Sequence, residues 1–163
     1  MKESIAIFLT SVFLGSVILL NLSLLAGQSQ PLSGSIYNSL EEIAGYGHRP
    51  LVLVFISLTC HVCWEELFEM KDFVDRLALP VTLVGVSAEN REQLAQFARR
   101  YSFGYPIIED RSKTLFRRFR VRLEPFVVVL DSKGEVFHLD DPLLDFETRR
   151  DLNKKKILEL AGK

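Results

Sequence analysis

The chain has 163 residues, with 20 Lys plus Arg against 21 Asp plus Glu and a formal net charge of −1 at pH 7. That length supports one domain with a substantial core and excludes two domains of ordinary size. Near-neutral charge gives no global attraction to nucleic acid or anionic lipid, so partners must be sought in local features.

Residues 5–26 form a nearly unbroken apolar run, and no charged residue stands between Glu3 and Glu41. As a helix the run reaches about 33 Å at 1.5 Å per residue, enough for a hydrocarbon core of roughly 30 Å. Its polar residues, Thr10, Ser11, Ser16, Asn21 and Ser23, are scattered rather than gathered on one face, unlike a helix of a soluble core. The small-x-small signals at 24–26 and 26–28 are weak, and no cysteine is nearby for lipid attachment, so residues 1–27 read as a retained anchor or uncleaved signal. Lys2 is the basic residue on one flank, while 27–47 has none, so the positive-inside rule places the domain outside the cytoplasm.

Residues 28–35, polar and containing Pro31 and Gly34, read as a tether, and 36–163 as the folded domain. A helix is expected within 35–44, capped by Ser35 or Ser39 and ended by the Gly45 to Pro50 turn. Residues 51–56 (LVLVFI) are a continuous apolar run of strand length, as in a strand covered on both faces. From 61 to 79 apolar residues recur at three and four, predicting an amphipathic helix stopped by Pro80. Residues 81–86 predict a second buried strand, and 90–101 a helix capped by Asn90. This βαβ alternation implies parallel strands with a right-handed crossover. A short strand at 106–108, a short helix at 112–119, a buried strand at 126–130 and an antiparallel return at 135–139 follow, with a turn at 131–134. A charged helix over 146–160 closes the chain.

The two cysteines, Cys60 and Cys63, stand where a buried strand gives way to a helix. A thiolate at a helix N-terminus faces unpaired N–H groups and the positive end of the dipole, which lower its pKa and make it a better nucleophile. Cys60 is then the exposed attacking thiol, and Cys63, one turn in, the shielded resolving thiol. A structural zinc site wants four ligands, and beyond this pair there are three scattered histidines, His48, His61 and His138. Covalent haem needs His directly after the second cysteine, where Trp64 stands. A purely structural disulfide gains little from so short a loop. Copper held by the two thiolates and a histidine such as His138 stays open as an alternative.

Three segments in order, Val54-Phe55 before Cys60-x-x-Cys63, Val84-Gly85-Val86-Ser87 before a helix, and Val121 through Glu124-Pro125-Phe126 to Gly134, carry a family resemblance. The chain resembles the membrane-anchored thioredoxin-like thiol–disulfide oxidoreductases of bacteria, the branch of the extracytoplasmic reductases of cytochrome maturation, related to the AhpC/TSA redoxins. The resemblance covers about half the chain and implies an α/β thioredoxin-like fold, a central mixed sheet of four to five strands flanked by helices behind one transmembrane helix. It implies exchange with protein thiol or disulfide partners at the periplasmic or outer side of the cytoplasmic membrane, as a reductant fed by an upstream membrane donor, with no cofactor and no nucleic acid.

The resemblance also assigns roles. Pro125 falls at the family's cis-proline, beside the cysteines, where it binds substrate backbone and keeps metal out; the plain alternative is a trans proline opening the strand at Phe126. Glu66, three residues after Cys63, matches an acid suggested to exchange the proton of the resolving thiol, against a solvated helix carboxylate. Departures are Thr59 in place of Trp before the pair, and Glu124 in place of Thr or Val before Pro125. A carboxylate at 124 raises a thiol's pKa, and a protonated His61 lowers it. A peroxiredoxin-like peroxidase is the second alternative, but its Pro-x-x-x-Thr-x-x-Cys loop is absent here. The basic run Arg111, Lys113, Arg117, Arg118, Arg120 and Arg122 reads as a solvated face, with Phe116 and Phe119 turned into the core.

Overall fold

The structure, a computed structural model, describes residues 34–162. The expected anchor at 1–27 and most of the tether lie outside the described residues. Among the described residues no helix is long and apolar enough to cross a membrane.

Six strands and four helices follow in the order β1 (Ile36–Tyr37), β2 (Leu51–Ile56), α1 (His61–Arg76), β3 (Thr82–Ser87), α2 (Arg91–Arg100), β4 (Ile107–Glu109), α3 (Thr114–Arg118), β5 (Phe126–Leu130), β6 (Val136–Leu139) and α4 (Phe146–Leu160). They build one six-stranded mixed sheet in the order β1-β4-β3-β2-β5-β6. The sequence leads to four or five strands; the sixth is β1, in the segment expected to be helical. Ile36 and Tyr37 pair in parallel with Ile107 and Ile108, so the sheet edge claims this stretch. A 3-10 turn at Leu40–Glu42 is what remains of the expected helix, and it buries Leu40.

All six side chains of β2 are buried, and alternate ones enter different cores, as a period of two requires. Val52, Val54 and Ile56 pack with Leu67 and Met70 of α1, Leu94 and Phe97 of α2, and Ile157 of α4. Leu51, Leu53 and Phe55 pack on the other face with Leu40, Ile43, Phe116 and Phe119. The two aromatics of the basic run thus point inward, with Arg111, Lys113, Arg117, Arg118, Arg120 and Arg122 exposed around them.

β2 pairs in parallel with β3 and antiparallel with β5, Phe55 lying opposite Phe126. The end of β2 that leads to the cysteines therefore lies beside the end of β5 that follows Pro125. α1 stops at Arg76, short of the expected 79, because Ala78 turns left-handed (φ 46°) and Leu79 N–H reaches back to the Val74 carbonyl at 3.1 Å. α3 is capped from outside its own sequence: the buried Asp110 carboxylate accepts from the N–H groups of Thr114, Leu115 and Phe116 at 2.7, 2.8 and 3.1 Å.

Candidate redox site

The loop between β2 and α1 is held from the end of β3. Glu89 Oε1 accepts from Ser57 Oγ at 3.0 Å and Leu58 N at 2.8 Å, and Ser87 Oγ donates to the Ile56 carbonyl at 2.8 Å. This places Cys60 at the N-cap of α1 with extended backbone, its Sγ accepting from Cys63 N–H at 3.2 Å. Cys60 and Cys63 form a disulfide with a Cα–Cα distance of 5.3 Å. Cys63 is fully buried, whereas Cys60 is half-buried. A sulfur in the N-cap position takes the place of the usual side-chain oxygen, so negative charge on Cys60 is favoured by the free N–H groups of the first turn.

Glu66 lies one turn beyond Cys63 on the same helix and is buried, at 3% exposure. It is not a solvated carboxylate. Its Oε2 accepts from Arg150 Nε at 3.0 Å, and Arg150 also reaches Glu147 and stacks over Phe146, 4.5 Å from the ring centroid. Burial pushes the Glu66 carboxyl above its ordinary value; Arg150 opposes the rise and Asp140 adds to it. Arg150 too titrates higher than usual because of Glu66 and Glu147, so the pair favours the guanidinium while burial outweighs it at the carboxylate.

The Glu124–Pro125 peptide is cis. The Pro125 carbonyl accepts from Arg149 Nη2 at 2.8 Å, and Arg149 also pairs with Asp140, its Nε donating to Oδ1 at 3.0 Å. Both charged side chains are nearly dry, at 9% and 2% exposure. Glu66, Pro125, Asp140, Phe146, Arg149 and Arg150 line one small recess. The C-terminal helix thus supplies two consecutive arginines, one under the proline and one on the acid behind the resolving cysteine. Sequence reasoning missed both, together with Asp140 and Glu89. Arg150 is 84 positions from Glu66, and no local spacing marks the pair.

Of the other neighbours, Thr59 turns its hydroxyl to Ser57 Oγ at 3.0 Å, and His61 is exposed, 3.3 Å from Glu65. Trp64 packs against Phe97 and Tyr101 of the α2 segment at 5.7 and 5.2 Å. Glu124 is half-buried, and its carboxyl is raised by burial and by the nearby Glu89. His138 is engaged with Asn153 Oδ1 at 2.8 Å, and His48 is exposed. Among the described residues no three His, Cys, Asp or Glu side chains come together as a metal-ligand set.

Comparison with known proteins follows the same lines. The chain is 24% identical over 120 residues to the thiol-disulfide oxidoreductase YkuV of Bacillus subtilis, covering 70% of this chain and 78% of the relative. Its structure is similar to StoA from Bacillus subtilis, at a TM-score of 0.50 and 22% identity, over 65% of this chain and 82% of that one. It is also similar to the peroxidoxin BcpB from Mycobacterium tuberculosis, at a TM-score of 0.62 and 18% identity, over 79% and 97%. Identities this low in the two structures show the shared fold, common to reductases and peroxidases, and not the reaction. The AhpC/TSA family model matches residues 34–139, about two thirds of the chain, including the whole Cys60–Pro125 region. On this match and the sheet, helices and cysteine pair described above, the chain belongs to the AhpC/TSA family of thioredoxin-like redox proteins.

Proposed function

We propose that the protein is a thiol–disulfide oxidoreductase that reduces disulfides of protein partners through Cys60 and Cys63, outside the cytoplasmic membrane and tethered to it by residues 1–27. The observation that carries the reading is a half-exposed Cys60 at the N-cap of α1, joined to a fully buried Cys63. In the reduced protein the Cys60 thiolate attacks one sulfur of the partner disulfide. A Cys60–partner bond forms, the partner S–S bond breaks, and the leaving sulfur takes up a proton. Cys63 then gives its proton to the Glu66 carboxylate and attacks Cys60 Sγ. The Cys60–partner bond breaks, the second partner sulfur takes up the proton that Glu66 returns and leaves as a thiol, and the Cys60–Cys63 disulfide closes. Two electrons have passed to the partner, and a dithiol donor in the membrane returns two. Arg150 lowers the cost of the ionised form of this buried acid, against the rise that burial imposes, and so suits it to exchange a proton. Pro125, fixed by Arg149, presents backbone to the substrate beside Cys60. The extracytoplasmic site, the reducing direction and a use such as cytochrome maturation rest on the apolar N-terminal run and the resemblance to the extracytoplasmic reductases.

Redox titration of the full chain in nonionic detergent, with thiol labelling read by mass, tests the activity. A reversible two-electron transition is expected between about −350 and −100 mV, the span of characterised dithiol proteins. Cys63→Ser is expected to hold partners covalently on Cys60, released by dithiothreitol. A pair that stays oxidised or reduced across the whole range would sink the reading.

A further inference from the structure

A second feature adjoins the redox site without belonging to it. The α3 segment and the loop that follows line a groove of about 390 Å³. Lys113, Arg117, Arg120 and Arg122 stand around it with Glu124 as the acid among them, over a floor of Phe116 and Val121. All four cations are exposed. Among the described residues no carboxylate stands within ion-pair distance of Arg117, Arg120 or Arg122. Lys113 alone feels Glu124. In a chain whose formal net charge is −1, four cations around a single groove make a strongly local positive field.

The backbone holds these cations in place. Arg120 sits in left-handed geometry (φ 57°), pinned by Val121 N–H on the Phe116 carbonyl at 2.8 Å. Lys113 is left-handed as well (φ 55°), its N–H on the Asp110 carbonyl at 2.8 Å. Arg117 Nη1 donates to the Ser112 carbonyl at 2.6 Å. Lys113 and Arg120 thereby stand just outside the two ends of α3, and both line the groove.

The inner end of the groove meets the redox site. Glu124 is followed by Pro125, and Phe126 lies opposite Phe55, near the end of the strand that feeds the cysteine loop. Glu124 also feels Glu89, the residue that holds Ser57 and Leu58 of that loop. Leu123, at 46% exposure, adds an apolar rim. We propose that this groove docks an acidic stretch of the partner polypeptide, flanking the disulfide that the partner presents to Cys60. The inference rests on the thiol–disulfide reading for its purpose, but the groove can be tested without it. Carboxylates of the partner face Arg117, Arg120 and Arg122, steer the encounter and set the register in which the disulfide arrives.

The full chain in nonionic detergent is tested against cystine-containing peptides whose flanks are acidic, neutral or basic, with hydroxyethyl disulfide as an uncharged measure of the chemistry. The acidic peptide is expected to be reduced about tenfold faster than the neutral one at low salt, the ratio approaching one near 0.5 M salt, where the screening length falls below about 5 Å. The ratio is expected to fall toward one in R117E/R120E, and by a smaller factor in R117Q/R122Q, which serves if the charge reversal does not fold. Equal rates for acidic and neutral peptides, with hydroxyethyl disulfide still reduced, overturn the groove and leave the activity standing. A separate arm follows binding of a cysteine-free acidic peptide to the oxidised protein by fluorescence anisotropy. Salt-sensitive binding there supports the groove even if no disulfide is reduced, an outcome that would defeat the activity alone. Binding to phosphatidylglycerol vesicles with none to the peptide overturns the polypeptide partner.

Discussion

Arg150 and Glu66 form a contact that neither residue announces. On α1, Glu66 lies on the buried side with Leu67 and Met70, where the guanidinium of Arg150, 84 positions along the chain, reaches its Oε2 at 3.0 Å. Removing one partner of such a buried pair leaves an uncompensated charge. Arg150→Gln is expected to lower stability by about 3 kcal/mol at pH 8, read as a shift in the urea midpoint. The loss has a definite pH dependence. Glu66 already titrates above its ordinary 4.5 in the folded protein, because burial penalises the charged form. Without Arg150 that rise grows, and a raised acid weakens the fold at pH values above its folded pKa. The deficit should therefore be greatest at pH 8, shrink as pH falls through the folded pKa, and vanish only well below 4.5, where Glu66 is neutral in both states. A deficit independent of pH would mean that Arg150 acts through packing over Phe146 instead.

Three helices end by one device. After α1, α2 and α3 a residue other than glycine turns left-handed, Ala78, Ser102 and Arg120, and the next N–H reaches back to a carbonyl of the last turn, at 3.1, 2.9 and 2.8 Å. The left-handed conformation costs a residue with a Cβ about 1–2 kcal/mol, partly offset in glycine by the greater freedom it loses on folding. Ala78→Gly is accordingly expected to raise stability by roughly 0.5–1 kcal/mol and to leave the cysteine pair untouched, as thermal unfolding and the redox midpoint would show. An unchanged or lower melting temperature would contradict this account of the helix end. Helix starts were more legible than helix ends. Asn90 was identifiable from sequence, and it closes a capping box with Gln93 at 3.0 and 3.3 Å. The α3 start was not, because Asp110 caps it from just after β4 rather than from the residue just before the helix.

Across the whole molecule, α4 closes the recess behind the cysteines. Arg149 joins this helix to Asp140, after β6, and to the Pro125 carbonyl, before β5. Arg149→Met is expected to cost about 3–5 kcal/mol, since it leaves Asp140 buried and unpaired. Adding Asp140→Leu should recover most of that stability, because an apolar pair of similar volume avoids the desolvation of both ions. Disulfide exchange should not recover with it, as the Pro125 carbonyl still lacks its donor. Chemical denaturation and exchange rates on the single and double variants separate the two roles. Equal recovery of both would assign Arg149 to stability alone.

What the amino-acid sequence determined by itself is the local physics. The run at 51–56, the recurrence of apolar residues after His61 and the Asn90 cap each encode an element within a few residues of its place. The cysteines fall at a strand-to-helix junction, so their unequal exposure followed from position alone. The tertiary structure decided what depends on distant partners. Ile36 and Tyr37 became a sixth strand because Ile107 and Ile108 offered an edge, against a local expectation of helix. Arg149, Arg150 and Asp140 became part of the site because α4 folds back on α1 and β5, and Glu89 because β3 ends beside the cysteine loop. Cys60 and Cys63 remain the chemistry that the sequence announced. The charge environment that tunes them is assembled by contacts between segments many residues apart, which no spacing along the chain records.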